Sequence, residues 1–346
     1  MSIGTGTAIS MWNPDDYLKR LYDVYAEKRS GAGRAERAER LRQLGEALGS
    51  FPEREDELNP VLLERVRCGG YVRERVEYGT GDGLRVPAYV LIPDGGEGAP
   101  RPAVLALHGH GFGSREIVGL RPDGSGPRAE PTIHGDYALE LVRRGFVVLA
   151  PEIVGFGDRR LKADQADGKT GNNSCARLAA HLLMYGKSLA GLRVFEARRA
   201  LDYLAARPDV DAGRLGCMGF SGGALIAAYT SALDERIRAL YLTGFANTFR
   251  DSILAMPHCI DNYVPGLLRY AELPEWIGLV APRPLFIEAG ADDPIFPLAG
   301  VRAALAELER IYAQAGVPEA LGSDIFPGRH EVGGRLGYDW LAGIFF

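Results

Sequence analysis

This sequence has few cysteines and no long apolar run. Both features limit the classes of protein to which it can belong. The 346 residues include four cysteines, which are widely spaced with no CxxC pair. A disulfide scaffold or a cysteine metal knuckle is therefore not expected, and so low a cysteine density is typical of a reducing compartment. No run approaches the ~20 apolar residues of a membrane-spanning helix, and the first residues lack the pattern of a secretory signal peptide. We predict a cytoplasmic protein with no membrane partner.

The sequence also lacks an excess of positive charge. It has 40 lysines and arginines against 45 aspartates and glutamates, which gives a net charge of −5. Nucleic-acid-binding proteins usually carry a basic face, so nucleic acid is not the predicted partner. Hydrophobic residues make up 46% of the chain, enough for a sizeable core. A small molecule is the expected partner.

The N-terminal part of the chain has a helical pattern. Pro14 is well placed for the first position of a helix, where its missing N–H costs no hydrogen bond. Residues 12 to about 65 are predicted to be mainly helical. We therefore predict an N-terminal helical extension at residues 1–68 and a main domain at residues 69–346.

The extension also carries apolar and aromatic side chains at helical spacing. One predicted face contains Tyr17, Leu18, Leu21, Val24 and Tyr25. Together with Trp12, the tyrosines of this face suggest a surface that a second subunit could cover. The sequence thus predicts a homodimer.

The pattern changes to that of an α/β sheet from residue 71 onward. Residues 71–80 and 84–93 alternate apolar and polar side chains, and the Gly-Asp-Gly between them is a hairpin signal. Helices are then expected at about 135–144, 187–206, 222–233 and 298–315. Short apolar runs between them, typical of strands buried on both faces of a parallel sheet, occur at 102–109, 146–153, 214–221, 237–244, 283–290 and 323–328. The predicted fold is a mostly parallel sheet with an antiparallel N-terminal hairpin and flanking helices.

Two segments interrupt the alternation of strands and helices. They are residues 121–136, rich in glycine and proline, and residues 155–187. Both follow strands whose carboxyl ends would border a ligand crevice in an open α/β sheet. We predict that they form pocket walls or a lid, with Phe156, Met184 and Tyr185 as candidate substrate-binding side chains.

A serine between glycines is the strongest chemical signal. Residues 219–223, GFSGG, match G-x-S-x-G between a predicted strand and a predicted helix. In such a nucleophile elbow the serine stands at the apex of a sharp turn, where Gly219 and Gly223 keep side chains out of the crowded backbone. Ser221 is therefore the candidate nucleophile, although the same motif also occurs in ordinary turns.

A serine nucleophile needs a base and an acid that orients the base. The elbow places them later in the chain, each after a strand, in the order acid and then histidine. His330 lies in a glycine-rich loop after the last predicted strand, whereas His258 follows no clear strand. Asp292 and Asp293 follow the strand at 283–290, and either could be the acid.

The oxyanion formed during acyl transfer also needs hydrogen-bond donors. The amide of Gly222, next to the nucleophile, is one candidate. The loop after the first parallel strand supplies the other, either the amide of His110 or, second, that of Gly111. His108 and His110 form an HxH pair, but no further ligand at a recognisable spacing accompanies it, so no metal is predicted.

Several of these motifs together resemble a known family. HGHG at 108–111, GFSGG at 219–223, GADDPIFP at 290–297 and GRHEVG at 328–333 resemble the α/β-hydrolase superfamily. More narrowly, they and GLVAPRPLFIEAG at 278–290 resemble acetyl xylan esterases and dienelactone-hydrolase-like esterases. The resemblance covers roughly residues 70 to 340 and implies an α/β-hydrolase fold.

The resemblance also implies roles for individual residues. Ser221 would be the nucleophile, His330 the base and Asp293 the acid, because in this family the acid stands three residues after the glycine that ends its strand. Residues 69–346 would be the catalytic domain of a serine esterase that acts on small-acyl esters without a cofactor. One departure matters: dienelactone hydrolases use a cysteine nucleophile, so that reaction is disfavoured, and Cys217 is expected to be a core residue.

Two other functions fit parts of the sequence. A prolyl-oligopeptidase-like peptidase would share the motifs, but the N-terminal residues are too few for its separate propeller domain. A non-catalytic binding protein could share the fold, although such proteins typically lose a member of the triad. An esterase is the favoured prediction.

Overall fold

A nine-stranded sheet forms the centre of the protein in a computed structural model that describes residues 12–31, 36–95, 99–166 and 173–346. The order of strands across the sheet is β1-β2-β3-β5-β4-β6-β7-β8-β9. The first three strands are antiparallel to their neighbours, and β5, β4 and β6 to β9 run parallel. The strands are β1 (Val61–Cys68), β2 (Tyr71–Gly79), β3 (Arg85–Pro93), β4 (Arg101–Leu107), β5 (Val147–Pro151), β6 (Val210–Phe220), β7 (Ile237–Thr243), β8 (Leu285–Gly290) and β9 (Leu321–Phe326).

Helices cover both faces of the sheet. On one face α2, α5, α6, α7, α8 and α9 contribute to the larger hydrophobic cluster, and on the other face α3 and α10 pack over a second cluster. The helices are α1 (Asp15–Gly31), α2 (Arg37–Leu48), α3 (Tyr137–Arg143), α4 (Lys162–Gln165), α5 (Cys175–Leu183), α6 (Leu189–Ala205), α7 (Gly222–Leu233), α8 (Leu273–Ile277), α9 (Leu298–Gln314) and α10 (Gly337–Phe345).

The apolar runs of the sequence become the central parallel strands, as predicted. Every residue of β5 and of β8 is buried, because helices cover these strands from both sides. The hairpin turn at residues 81–83 joins β2 and β3. The α/β-hydrolase fold, a mostly parallel sheet with an antiparallel N-terminal hairpin, is thereby confirmed.

The prediction of mainly helical structure up to about residue 65 is wrong after Leu48, where α2 ends. Residues 61–68 form β1, which pairs with β2 across a turn that contains Gly70 at φ 87°. This strand lies at the edge of the sheet with most of its side chains exposed, so it lacks the apolar pattern by which a strand is recognised. The boundary predicted between residues 68 and 69 therefore falls between two paired strands.

The two N-terminal helices differ in their burial. Leu44 and Leu48 of α2 belong to the larger core cluster, so this helix is an integral part of the main fold. No residue of α1 is buried, although Tyr22 donates a hydrogen bond to Glu272. Trp12 and Tyr17 are exposed. The homodimer stays a prediction, and residues 1–11 and 32–35 of the predicted extension lie outside the described residues.

The two segments that interrupt the predicted alternation have different structures. Residues 121–136 contain no helix or strand. The segment 155–187 contains α4 and the whole of α5 within its described part, and its residues 167–172 lie outside the described residues. Neither helix was expected there. Among all helices of the described ranges, none is long and apolar enough to cross a membrane.

Replacement of a core leucine in α2 tests whether this helix belongs to the main fold. Leu44 is fully buried, so Leu44→Ala should lower the free energy of unfolding by about 2–5 kcal/mol through lost burial and a cavity. Leu18→Ala on α1 removes the same atoms at an exposed position and should change it by less than about 0.5 kcal/mol. Urea denaturation followed by circular dichroism measures both, and equal small effects would mean that α2 is dispensable to the core.

Candidate active site

Ser221 stands at a sharp turn between β6 and α7. Its backbone has φ 55° and ψ −122°, a strained conformation for a residue with a side chain. The Ser221 N–H donates to the carbonyl of Thr243, the last residue of β7, at 3.0 Å. The turn thus holds the serine at the carboxyl edge of the parallel sheet, and 8% of its surface is exposed.

The glycines on either side of Ser221 are required by space. A Cβ atom at Gly219 would lie 2.4 Å from the carbonyl oxygen of Gly223. A Cβ atom at Gly223 would lie 1.9 Å from the carbonyl oxygen of Leu107, the last residue of β4. The start of α7 therefore packs directly against the backbone of the neighbouring strand, which only glycine permits.

His330 lies between Ser221 and Asp293. Its Nε2 atom is 2.9 Å from the Ser221 Oγ, and its Nδ1 atom is 2.7 Å from Asp293 Oδ2. With a proton on Nδ1, the ring donates to the carboxylate and leaves Nε2 to accept the serine proton. The structure thus brings together the serine, histidine and aspartate that the sequence suggested.

Asp293, rather than Asp292, is the carboxylate at this site. Its Oδ1 atom accepts from the amides of Ile295 and Phe296 at 2.9 and 3.0 Å, while Asp292 is exposed. Burial acts to raise the pKa of Asp293, but the hydrogen bond and charge of His330 and these two amides hold it below its usual value. The carboxylate is therefore ionised at neutral pH.

Aromatic rings and a buried carboxylate fix the position of His330. Its ring lies between those of Phe220 and Phe296, with centroids 4.9 and 5.6 Å away. The loop that follows it is held by Glu288 of β8, which accepts from the amides of Gly333 and Gly334 at 2.8–3.0 Å. Tyr241 of β7 also donates to this carboxylate. No pattern in the sequence marks this anchor, because it depends on the pairing of β7 with β8.

Buried polar side chains hold the loop after β4 in the same way. The Gly109 amide donates to His134 Nε2 at 3.1 Å, and His134 Nδ1 lies 3.2 Å from Glu116. The Phe112 amide donates to the same glutamate at 2.9 Å. His108 accepts from the Ile153 amide at 3.2 Å, and burial lowers its pKa to about 3, so it is neutral. The HGHG segment therefore has a fixed backbone path.

The candidate oxyanion donors remain open for a ligand. Within the described part of the chain, the amides of Gly222 and His110 donate no hydrogen bond. The same is true of Gly111, so the choice between the two loop amides stays open. A Cβ atom at Gly222 would lie 3.1 Å from two atoms of the His110 ring, so the two segments adjoin.

The side chain of His110 belongs to a cluster that sequence reasoning missed. Its ring nitrogen, the sulfurs of Cys175 and Cys259 and a carboxylate oxygen of Asp261 all lie within 4.8 Å of one another. Arg193 contacts this cluster and is 3% exposed. The residues come from three distant segments, so no spacing in the sequence marks them.

The charges of this cluster are unusual for a protein interior. A hydrogen bond from Cys259 and the charge of Arg193 lower the pKa of the Cys175 thiol to about 5, although burial opposes this. Burial also acts to raise the pKa of Asp261, but Arg193 and His110 hold it below its usual value. The cluster thus places a thiol of lowered pKa and a carboxylate beside a guanidinium.

The predicted pocket residues do not share one environment. Phe156 is 2% exposed, and its ring meets that of His110 edge-on at 5.0 Å. Met184 and Tyr185 were predicted as walls, but they follow the last turn of α5 and point into solvent, 85% and 78% exposed. His258 lies beside the Ser252 hydroxyl at 3.1 Å and takes no part in the Ser221 arrangement.

Comparison with known proteins gives a family and a fold. The sequence model of the abhydrolase family matches residues 25–319. A Bacillus subtilis (strain 168) protein named as a hydrolase, YtaP, is 32% identical over 295 residues, which cover 82% of this chain and 90% of that protein.

Solved structures show the same architecture. A Bacteroides fragilis protein described as an acetyl xylan esterase superposes with a TM-score of 0.72 at 20% identity, over 84% of this chain and 74% of that chain. A glucuronoyl esterase from Solibacter usitatus has a TM-score of 0.65 at 18% identity, over 90% and 92% of the two chains.

Substitution at Gly223 tests the contact between α7 and β4. Gly223→Ala forces a methyl group against the Leu107 carbonyl, so it should lower the free energy of unfolding by more than about 3 kcal/mol or prevent folding. Gly343→Ala in α10 has no atom within 4 Å of its new methyl group and should raise stability by up to about 1 kcal/mol. Thermal unfolding of both variants distinguishes them, and a stable Gly223→Ala protein would contradict the close approach.

Acid should destabilise the protein partly through His108. Because burial lowers its pKa from 6.5 to about 3, only the unfolded chain binds this proton between those pH values. The resulting stability is present above pH 6.5 and is lost toward pH 3 at about 1.4 kcal/mol per pH unit.

The loss of unfolding free energy between pH 7 and pH 5 should therefore be smaller by about 2 kcal/mol in His108→Gln than in the wild type. His181→Gln, at an exposed position of α5, is the matched control and should keep the wild-type dependence. Urea denaturation at the two pH values measures the difference. An unchanged slope in His108→Gln would contradict a neutral buried ring.

Proposed function

We propose that this chain, which belongs to the abhydrolase family and is a hydrolase, cleaves carboxylic esters with small acyl groups through an acyl-enzyme at Ser221. The observation that carries the proposal is the chain of two short contacts, 2.9 Å from Ser221 Oγ to His330 Nε2 and 2.7 Å from His330 Nδ1 to Asp293. A nucleophile, a base and an orienting acid within hydrogen-bond reach are what acyl transfer needs.

The first half of the reaction acylates the serine. His330 Nε2 takes the Ser221 proton as the hydroxyl oxygen attacks the ester carbonyl, and the carbonyl oxygen becomes an oxyanion. The amides of Gly222 and His110, or Gly111 in place of the latter, stabilise this negative charge. Collapse of the intermediate breaks the bond to the alcohol oxygen, which leaves with the proton from His330.

The second half releases the acid. A water molecule gives a proton to His330 and attacks the acyl carbon, so that the same oxyanion forms again. The bond to Ser221 Oγ then breaks, and His330 returns the proton to the serine. Asp293 keeps the imidazole in the reactive tautomer and stabilises its positive charge in both halves, so no cofactor is required.

A small acyl group is supported by the surroundings of the nucleophile. Ser221 is largely buried, and the Gly222 backbone lies against the His110 ring, which in turn meets the buried Phe156 ring. We infer that these contacts restrict the acyl group that fits beside the proposed oxyanion site. The fold shared with a protein described as an acetyl xylan esterase points in the same direction.

Turnover of p-nitrophenyl esters tests the proposal. Ser221→Ala should lower kcat for p-nitrophenyl acetate by about 10⁴- to 10⁶-fold, and Asp293→Asn by about 10⁴-fold, since the imidazole loses its orienting group. Ser323→Ala is the control, because Ser323 is an exposed serine of β9, and its loss should leave kcat within about twofold.

The choice of substrates separates the alternatives. The wild type should hydrolyse the acetate at a higher kcat/KM than the octanoate. Faster cleavage of an aminoacyl p-nitroanilide than of any ester would identify a peptidase. No difference between wild type and Ser221→Ala on any of these substrates would identify a non-catalytic protein and end the proposal.

A further inference from the structure

A compact group of metal-ligating side chains lies beside the candidate nucleophile. His110 comes from the loop after β4, Cys175 begins α5, and Cys259 and Asp261 come from the loop between β7 and α8. One possible ligand atom from each of these four residues lies within 4.8 Å of the other three. Cys175 and Asp261 are buried, and the other two are partly buried. The proposed ester hydrolysis uses the His110 amide but none of these four side chains.

We propose that His110, Cys175, Cys259 and Asp261 bind one divalent cation of the zinc class. Thiolate sulfur, imidazole nitrogen and carboxylate oxygen are the ligands that Zn²⁺ prefers, and four of them complete its tetrahedral coordination. Bond lengths of about 2.0–2.3 Å put the ligand atoms of such a site about 3.3–3.8 Å apart. The 3.4 Å between His110 Nε2 and Asp261 Oδ2 falls in this range.

An unsatisfied ring nitrogen points to the same ligand. His110 Nε2 is buried but forms no hydrogen bond of acceptable geometry among the described residues. A buried nitrogen without a hydrogen bond is unfavourable, because it has lost its bonds to water and gained none in the protein. A cation between this nitrogen and the two sulfurs would satisfy it directly.

The neighbouring charges suit a divalent cation. The Arg193 guanidinium donates to Asp261 Oδ2 and lies 3.1 Å from the Cys175 sulfur, and it also donates to the Val154 carbonyl. Asn262 holds the second oxygen of Asp261 at 2.9 Å. With both thiols deprotonated, two thiolates, one carboxylate, one guanidinium and one divalent cation carry no net charge. Such outer hydrogen-bond partners are typical of protein metal sites.

The position of the cluster suggests that a bound cation would stabilise the loop after β4. A Cβ atom at Gly222 would lie 3.1 Å from His110 ring atoms and 3.8 Å from Asp261 Oδ2, so the cluster adjoins the residue after Ser221. A cation bound to the His110 side chain would fix the loop whose amide is a candidate oxyanion donor. This consequence rests on the proposed function, whereas cation binding does not.

Metal analysis of the full-length protein tests the proposal. Protein purified under reducing conditions and freed of metal by a chelator should take up one Zn²⁺ per chain. Co²⁺ should give the visible d–d bands of a tetrahedral site together with thiolate-to-cobalt charge transfer. Competition with a chromophoric chelator then measures the affinity for Zn²⁺.

Three variants assign the binding to the cluster. Cys259→Ser should weaken Zn²⁺ binding by more than about 10- to 100-fold, which is the cost of losing even an outer partner. Cys68→Ser removes a partly buried thiol outside the cluster and should bind as the wild type does. Ser221→Ala should also bind normally, so failure of the esterase proposal and failure of this one give different results.

A measurement on the wild type keeps the test decisive if Cys259→Ser does not fold. Zn²⁺ should slow alkylation of Cys259 by iodoacetamide at least tenfold while Cys68, also partly buried, reacts at an unchanged rate. Substoichiometric uptake, an affinity unaffected by Cys259→Ser, or Cys175 and Cys259 joined in a disulfide under conditions where Zn²⁺ is not taken up would each overturn the proposal.

Discussion

The contact between the start of α7 and the backbone of β4 constrains the rest of the site. Gly223 approaches the Leu107 carbonyl so closely that no side chain fits between them, and this approach sets the angle at which the chain leaves β6. The strained conformation of Ser221 follows from that angle, because the serine must reverse the chain within one residue. The same contact brings the loop after β4 next to Gly222. One steric requirement therefore positions both the candidate nucleophile and the loop that carries the candidate donor amides.

The remaining parts of the site are loops at the carboxyl edge of the sheet, and each is held by a buried polar group. Glu288 holds the loop after His330, Glu116 and His134 hold the loop after β4, and Asp293 orders its own turn through two amides. A buried carboxylate without partners would be very unfavourable, whereas one that accepts several amide hydrogen bonds fixes the loop that donates them. Hydrogen bonds to these buried groups, and not apolar packing alone, thus hold the loops in place.

The sequence predicted the features that depend on local pattern. Apolar runs identify β5 and β8 because both faces of a parallel strand are buried, and the glycines around Ser221 identify the turn because no other residue fits there. The edge strand β1 was missed because its side chains are mostly exposed. Met184 lies exposed after α5, and its assignment as a pocket wall stays a prediction, because burial at a helix end depends on the neighbouring chain. The choice of Asp293 over Asp292 depended on the resemblance to known esterases, since both residues follow β8. Glu288 and the cluster around Cys175 could not be predicted, because they join segments that only the tertiary fold brings together.

His110 belongs both to the candidate active site and to the cluster of metal-ligating side chains. Its backbone lies in the loop after β4, and its ring adjoins Gly222 and lies close to Cys175, Cys259 and Asp261. The position of the ring therefore affects the position of the amide, because only the Cβ atom separates the ring from the backbone. A transition-state donor must hold its direction while charge develops, because reorientation during the reaction would remove much of its benefit. Without a bound cation, that direction depends on the hydrogen bonds that hold the loop after β4. In the proposed mechanism, a His110 ring held by a cation would keep the His110 amide directed at the oxyanion.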